Sequence, residues 1–247
     1  PFSYSGTINE HNFVRDDVGY FDVSHMGRLK IDNKSIDFLS SLICSDIKNL
    51  NYGKALYSIF TDDNGCALDD VIFWKFSTYI LLICNAINTD KITNHLTVNN
   101  INYEDITKET ALVAVQGPNS LDKLEGILSI PESFSCLEND IYTYARTGYT
   151  GEDGLEIMIN RKNLDDLIEL LSKNNIQPCG LGSRDTLRLE ASLPLYGFEL
   201  SDEITPVEAG LKWTITNPET YLGMEKINEQ IKTNKHKILK KFVIESR

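Results

Sequence analysis

The sequence lacks long apolar runs and has few basic side chains for its length. The apolar run Tyr79 to Cys84 has the length of a strand, and no run approaches the roughly 18 residues that a membrane-spanning helix needs. There are 24 Lys and Arg residues against 36 Asp and Glu residues, for a net charge of −12. Because phosphate groups are bound by clustered basic side chains, we expect no nucleic acid and no membrane as partner. The net charge does not exclude a local basic pocket within the acidic surface.

Paired cysteines and metal-ligand spacings are also missing. The cysteines are Cys44, Cys66, Cys84, Cys136 and Cys179, an odd number without Cys-x-x-Cys spacing. The four histidines show no ligand spacing either. These absences predict reduced thiols in the core of an intracellular protein, and they predict no metal site.

What the sequence does have is the composition of a globular protein. Its 247 residues are 41% hydrophobic and 9% aromatic, which excludes wholesale disorder and allows one large domain or two modest ones. Apolar spacing predicts helices over 35–43, 119–128, 163–171 and 182–191, and strands over 56–60, 67–74, 79–84, 111–115, 142–146 and 155–159. The mixture predicts an α+β fold with largely antiparallel sheets.

Two local signals predict how these elements begin or join. Ser35 is placed to cap the helix at 35–43. Asn64-Gly65 between two apolar runs predicts a hairpin in which both central residues have positive φ.

The adjacent acids Asp69 and Asp70 are the most informative pair, because neighbouring strand residues point to opposite faces. Asp70 shares the more apolar face with Ile72 and Trp74. Asp69 shares the other face with Lys75 and is predicted to be solvated. A carboxylate on an apolar face is costly unless it is paired, protonated or used, so Asp70 is either bonded to turn amides or functional.

The glycine-dense segment Gly148 to Gly154 connects two predicted strands. It lacks the Gly-Lys-Ser/Thr ending of a phosphate-binding P-loop, so we interpret it as a tight turn that lets a backbone or a ligand approach closely.

Arg184 and Arg188 lie one turn apart on a predicted helix. One interpretation is a solvated face on which Asp185 and Glu190 are their partners. The other is a guanidinium fork that binds a ligand carboxylate, a role that arginine suits better than lysine.

Several longer motifs stand in one order along nearly the whole chain. They are Phe21-Asp22-Val23-Ser24-His25-Met26-Gly27, Leu68-Asp69-Asp70, Gln116-Gly117-Pro118, Arg146-Thr147-Gly148-Tyr149-Thr150-Gly151-Glu152-Asp153-Gly154-Leu155-Glu156-Ile157, Arg184-Asp185-Thr186-Leu187-Arg188-Leu189-Glu190-Ala191, Leu195-Tyr196-Gly197 and Pro206-Val207-Glu208-Ala209. Together they closely resemble the aminomethyltransferase, or T-protein, family of the glycine cleavage system.

The resemblance implies a multi-lobed fold around a central tetrahydrofolate channel. The implied lobes are 1–22 with 112–182, then 23–111 with 183–236, and finally 237–247 as the start of a C-terminal barrel lobe. We expect the chain to lack the family's first residues and most of that last lobe, whose first strand would be 241–244.

The resemblance also implies the reaction. The aminomethyl group is carried on the lipoyl arm of H-protein, which is the expected partner, and tetrahydrofolate accepts the one-carbon unit while ammonia is released. The expected compartment is the cytoplasm in a bacterium or the mitochondrial matrix in a eukaryote.

Site residues follow from the resemblance position by position. Asp70 matches the family's essential acid, Glu156 matches the residue that grips the pterin, and Arg184 matches an arginine in contact with folate. The implied channel-lining residues are Tyr57, Asn85, Met26 and Tyr149. Strand alternation by itself places Glu156 opposite Leu155 and Ile157, on the surface.

Two alternatives belong to the same fold. One is a folate-dependent demethylase of a small methylated substrate, which usually departs from the Asp-Val-Ser-His-Met and Gly-Glu-Asp-Gly signatures kept here. The other is a non-enzymatic folate-binding factor of iron–sulfur cluster assembly, which resembles a Lys-Gly-Cys pattern where this chain has Tyr221-Leu222-Gly223-Met224. The motifs kept in this chain favour the aminomethyltransferase family over both alternatives.

Overall fold

The computed structural model describes residues 1–243, which form seven α-helices and eleven strands. The helices are α1 (Thr7–Asp16), α2 (Ile36–Ser40), α3 (Thr89–Val98), α4 (Ser120–Leu124), α5 (Leu164–Lys173), α6 (Leu181–Glu190) and α7 (Met224–Thr233). The strands are β1 (Gly19–Asp22), β2 (Gly27–Asp32), β3 (Lys54–Thr61), β4 (Ala67–Lys75), β5 (Tyr79–Cys84), β6 (Tyr103–Asp105), β7 (Thr110–Gln116), β8 (Cys136–Glu138), β9 (Tyr142–Ala145), β10 (Gly154–Asn160) and β11 (Gln177–Pro178). In this range, none of the helices combines the length and the apolar character needed to cross a bilayer.

The strands form two sheets. The first sheet has the order β11-β1-β7-β10-β9-β8, and the second has the order β3-β4-β5-β2-β6. The paired strands are antiparallel except for β1 and β11, which are parallel. The α+β class with largely antiparallel sheets is therefore confirmed. All five strands of the second sheet lie in sequence between β1 and β7 of the first.

Apolar side chains cover both faces of both sheets. The cluster that joins the two sheets contains Phe21, Leu112, Ala114 and Met158 from the first and Ala55, Trp74, Leu81 and Ile83 from the second. On its other face the second sheet packs against Ile92 and Leu96 of α3. The first sheet packs on its other face against Leu167 and Leu171 of α5. Neither sheet therefore has one face that is simply exposed to solvent.

The two shortest helices differ from their predictions. Ser35 makes no capping hydrogen bond; instead the Asp32 side chain accepts one from the Lys34 N–H at 2.8 Å, in a 3₁₀ turn that precedes α2. The helix predicted at 119–128 ends at Leu124, because the chain turns extended at Glu125 and Gly126 has a φ of +87°.

The predicted hairpin forms between β3 and β4, but its turn is a wider loop. Gly65 has a φ of +78°, whereas Asn64 does not adopt a positive φ. The Asp62 carboxylate accepts hydrogen bonds from the N–H groups of Asn64 at 2.9 Å and Cys66 at 2.8 Å. This side chain replaces the backbone geometry expected of a two-residue turn.

After α7 the chain runs extended along the body of the protein. The N–H of Leu239 donates to the Glu208 carbonyl at 3.2 Å, and the Lys241 Nζ donates to the Ser192 carbonyl at 2.8 Å. Of the strand expected at 241–244, the first three residues are not paired in a sheet, and Ile244 lies outside the described residues.

All five cysteines are free, and four of them are buried, as predicted for core thiols. Burial raises the pKa of the Cys84, Cys136 and Cys179 thiols to about 12, which keeps them protonated and unreactive at neutral pH.

A buried arginine ties the start of the second sheet to the first. The Arg28 side chain is fully buried and donates to the carbonyls of Ser24, Met26, Thr107 and Thr110 and to the Thr110 hydroxyl at 2.8 Å. Within residues 1–243 it has no carboxylate within 4 Å. Burial lowers the pKa of Arg28 to about 10, so the group stays charged and five acceptors depend on it.

Replacement of Arg28 by Met should lower the free energy of unfolding by about 3 kcal/mol or more, because several buried carbonyls lose their donors at about 1–3 kcal/mol each. Urea denaturation measures this. The matched control is Arg161→Met, since the Arg161 side chain is exposed and, among the described residues, donates only to the carbonyl of Lys108. That change should stay within about 0.5 kcal/mol. A loss below about 1 kcal/mol for Arg28→Met would show that water replaces the guanidinium.

Candidate active site

A cavity of about 1260 Å³ opens where the two sheets and α6 meet. Its walls include Tyr57 and Ile72 of the second sheet, Thr147 and Tyr149 of the loop before β10, and Arg188 of α6. The extended chain from Leu239 to Val243 borders it as well. A ligand in this cavity would therefore contact both halves of the fold.

Asp70 projects from β4 on the same side of the sheet as Tyr57. The Tyr57 hydroxyl donates to Asp70 Oδ2 at 3.0 Å, and Asn85 Nδ2 donates to Asp70 Oδ1 at 2.9 Å. Burial raises the pKa of Asp70, while these two hydrogen bonds oppose the rise. Two other predicted site residues thus converge on this carboxylate.

The prediction that Asp69 is solvated is wrong. Asp69 is fully buried, on the β4 face that it shares with Val71 and Phe73, and α3 packs on this face. The face of Asp70 and Ile72 is the less buried of the two, and Ile72 on this face lines the cavity, whereas Asp70 does not. The placement of Asp69 and Asp70 on opposite faces of β4 was predicted correctly. Which of the two faces is packed against the protein was not.

Amide groups bind the Asp69 carboxylate. Oδ1 accepts from Asn88 Nδ2 at 2.6 Å and from Asn85 Nδ2 at 2.8 Å, and Oδ2 accepts from the Asn85 backbone N–H at 3.0 Å. Burial, with the charge of Asp70 next to it, raises the pKa of Asp69 to about 7. The signal that sequence reasoning missed was the pair Asn85 and Asn88 just after β5.

Glu156 lies on β10, and its surface placement by strand alternation is wrong. Its exposed fraction is 7%, and the Thr147 Oγ1 donates to its Oε2 at 2.6 Å. Its cross-strand partners are the small residues Ala114 and Ala145, which leave room beside the carboxylate. The face is buried because the second sheet packs over it.

Arg184 extends from α6 over the aromatic ring of Tyr149, with its Cζ 5.0 Å from the ring centroid and 5.9 Å from that of Phe21. Its Nη1 is buried and has no hydrogen-bond partner among the described residues. Burial lowers the pKa of Arg184, and the nearby charge of Glu156 works in the other direction. Buried donors are rarely left unpaired, so this nitrogen is a candidate donor to a ligand. Arg184 itself does not line the cavity, whereas Tyr149, on which it stacks, does.

Arg188 shows a different environment on the same helix. It is 4% exposed and pairs with Asp185 and Glu199, each at 2.8 Å. Asp185 is a partner as the solvated-face interpretation expected, but Arg188 is buried rather than solvated, and Glu190 pairs with Arg15 instead. Arg188 is neutralised by protein carboxylates, whereas Arg184 keeps a free donor.

The remaining predicted residues occupy different depths. Tyr149 lines the cavity and donates its hydroxyl to the Pro194 carbonyl, and burial raises its pKa. Met26 is half-buried and packs against the cluster between the sheets, so the structure places it behind the cavity wall. Trp213, which sequence reasoning missed, stacks on Tyr57 at 5.6 Å between ring centroids. Trp213 lies outside the predicted helices and strands, so apolar spacing did not indicate it.

The glycine-dense turn approaches another motif closely, as predicted. A Cβ on Gly148 would lie 1.8 Å from Gln116 Oε1, and Gln116 Nε2 donates to the Thr147 carbonyl at 3.1 Å. Thr150 Oγ1 donates to Gln116 Oε1 at 3.1 Å. This contact fixes the segment that carries Thr147 and Tyr149 into the cavity.

Comparison with known proteins decides the family. Residues 1–218 match the GCVT N-terminal domain. An aminomethyltransferase of Prochlorococcus marinus is 36% identical over an alignment of 275 positions that covers 100% of this chain and 74% of that protein. This chain belongs to the aminomethyltransferase family of the glycine cleavage system. The corresponding protein of Synechocystis sp. is 37% identical, over 93% of this chain and 67% of that protein.

A solved structure agrees with this aminomethyltransferase assignment. The glycine cleavage system aminomethyltransferase T from Bartonella henselae superposes with a TM-score of 0.88 at 29% identity, covering 94% of this chain and 68% of that one. The family, the fold and the transferase class predicted from the motifs are thus confirmed. The GCVT family uses tetrahydrofolate.

Proposed function

We propose that this aminomethyltransferase moves a methylene carbon from the aminomethyl-dihydrolipoyl arm of H-protein to tetrahydrofolate. The carbon leaves the lipoyl sulfur and the amine nitrogen and becomes bonded to two folate nitrogens, N5 and N10. The two hydrogens that those nitrogens lose end on the thiol and on ammonia. The observation that carries the proposal is Asp70, a carboxylate held by Tyr57 and Asn85 beside a large cavity.

Asp70 is the proposed acid–base residue. Each of its oxygens accepts one hydrogen bond from the protein and keeps capacity for a second partner. Asp70 itself does not line the cavity, but its partner Tyr57 does. Its raised pKa brings it closer to neutral pH, where a group exchanges protons most effectively. We propose that it hydrogen-bonds the folate nitrogens and takes part in their proton transfer.

Glu156 and Arg184 are the proposed binding residues for folate. Thr147 engages one oxygen of Glu156, which orients the carboxylate so that it can accept two parallel N–H bonds from the amino-pyrimidinone edge. The unpaired Nη1 of Arg184 offers a donor to a ligand oxygen. Tyr57 and Tyr149, which border the cavity, are the proposed channel-lining residues. Asn85, expected beside them, is proposed to act through Asp70, and Met26, also expected there, packs behind the wall.

The partner and the lobes are part of the same proposal. Lipoylated H-protein is the proposed partner, and the cytoplasm is the proposed compartment because the relatives named above are bacterial. We also propose that the first sheet belongs to a lobe of 1–22 and 112–182, the second to a lobe of 23–111 and 183–236, and that 237–247 begins a further lobe.

The test is ammonia release from aminomethyl-loaded H-protein. Release should require both tetrahydrofolate and this chain, and it should leave dihydrolipoyl H-protein as the second product. A methylated amine such as sarcosine offered with tetrahydrofolate is the matched comparison. Turnover of sarcosine without turnover of H-protein would contradict the proposal and favour a demethylase.

A further inference from the structure

The buried carboxylate of Asp69 has no part in the chemistry described so far. It is fully buried, and within residues 1–243 no Lys, Arg or His lies within 4 Å of it. A buried carboxylate without a cation is costly unless hydrogen bonds compensate its charge. Asp69 accepts three hydrogen bonds, and two of them come from Asn85.

Asn85 is held between two carboxylates. Its Nδ2 lies 2.8 Å from Asp69 Oδ1, 2.9 Å from Asp70 Oδ1 and 3.1 Å from the carbonyl oxygen of Asp70. An amide nitrogen has two N–H groups, and each can be directed to one of these oxygens. Only the NH₂ end of the amide can face two carboxylates, so the side chain has one favourable orientation.

Asp69 also holds the backbone of Asn85. Its Oδ2 accepts the Asn85 N–H at 3.0 Å, just after β5 ends. Asn88 adds a third donor at 2.6 Å from the turn before α3. The carboxylate therefore fixes both the position and the rotation of the amide.

We propose that Asp69 is a positioning residue, which holds Asn85 so that one amide N–H is directed at Asp70. The role rests on the proposed function, because it matters for turnover only if Asp70 serves the reaction. Asp69 itself lies behind the cavity wall and does not reach the substrate. Its effect passes through one side chain, Asn85.

The substitution Asp69→Asn tests this with little change of shape. It replaces one accepting oxygen by an NH₂ group, so Asn85 loses one of its two hydrogen bonds to this side chain, whichever oxygen is replaced. We expect kcat to fall about 10-fold or more, as for loss of a hydrogen bond to a charged group, while the KM for tetrahydrofolate stays within about 2-fold.

Lys75→Met is the matched control. Lys75 lies on the same face of β4, is equally a buried ionisable group, and donates to the carbonyls of Ile47 and Lys48 rather than to the site. Its replacement should lower the melting temperature and leave kcat unchanged. A fall in kcat with Lys75→Met would mean that any buried charge lost from β4 disturbs the enzyme, which would overturn the proposal.

A double-mutant cycle shows whether the effect passes through Asn85. Asn85→Ala should lower kcat by a factor similar to that of Asp69→Asn, and the double variant should be within about 2-fold of the worse single variant. Multiplied losses in the double variant would overturn the proposal, as would a kcat for Asp69→Asn within 2-fold of the parent.

A measurement independent of turnover is the NMR signal of the Asn85 side-chain amide. It should shift in Asp69→Asn and stay in place in Lys75→Met. If the parent protein released no ammonia while this signal shifted as expected, the proposed function would fail and the positioning would stand. An unmoved signal in Asp69→Asn would overturn the positioning even in an active enzyme.

Discussion

Asp70→Asn should lower turnover at least ~10²-fold while fold and tetrahydrofolate affinity stay nearly unchanged. The amide cannot exchange a proton near neutral pH. One of the two oxygens that accept from Tyr57 and Asn85 is also replaced by an NH₂ group, which only donates. Steady-state ammonia release from aminomethyl-loaded H-protein measures turnover. Calorimetric titration with tetrahydrofolate measures the affinity separately.

Asp69→Asn is the comparison for this variant, since the same chemical change is made at the neighbouring residue. Its loss should be the smaller one, because Asp69 acts only through Asn85. A larger loss for Asp69→Asn than for Asp70→Asn would show that the reacting carboxylate has been assigned to the wrong face of β4.

Glu156→Ala and Arg184→Ala should each weaken tetrahydrofolate binding by about 10- to 150-fold. Each change removes charge-assisted hydrogen bonds worth roughly 1.5–3 kcal/mol. The Arg184 variant should also be no less stable than the parent, because the guanidinium has a buried nitrogen without a protein partner. Calorimetry gives the dissociation constants, and thermal unfolding gives the stability.

Arg161→Met is a suitable control for these two variants, because it removes an exposed arginine from the other end of β10. Its tetrahydrofolate affinity should equal that of the parent. Dissociation constants that stay unchanged in both the Glu156 and the Arg184 variants would place the ligand elsewhere in the cavity.

Strand alternation and motif resemblance predicted different parts of this molecule. Alternation located the main strands and correctly separated Asp69 from Asp70, because it depends only on backbone geometry. It failed for the burial of Asp69 and Glu156, since burial depends on what covers each face. Helix α3 covers the face of β4 that carries Asp69, and the second sheet covers the face of β10 that carries Glu156. Neither contact is local in sequence.

The same distinction explains the site. The residues Tyr57, Asp70 and Asn85 were expected together through the resemblance, and the structure brings them into hydrogen-bond contact. Trp213 escaped prediction because it reaches Tyr57 across more than 150 residues of chain. Ser35 failed as a cap because Asp32 was available three residues earlier.

The strands of the second sheet lie in sequence between two strands of the first, and this order affects when each sheet can form during synthesis. The strands from β2 to β6 are complete by residue 105, whereas the first sheet needs β11 at 177–178 and the site needs Arg184. At roughly 5–20 residues per second, the ribosome adds Arg184 about 6 to 23 s after Asp70. The nascent chain therefore carries the Asp70 carboxylate for seconds before Arg184 has been added, so the proposed site is incomplete during this interval.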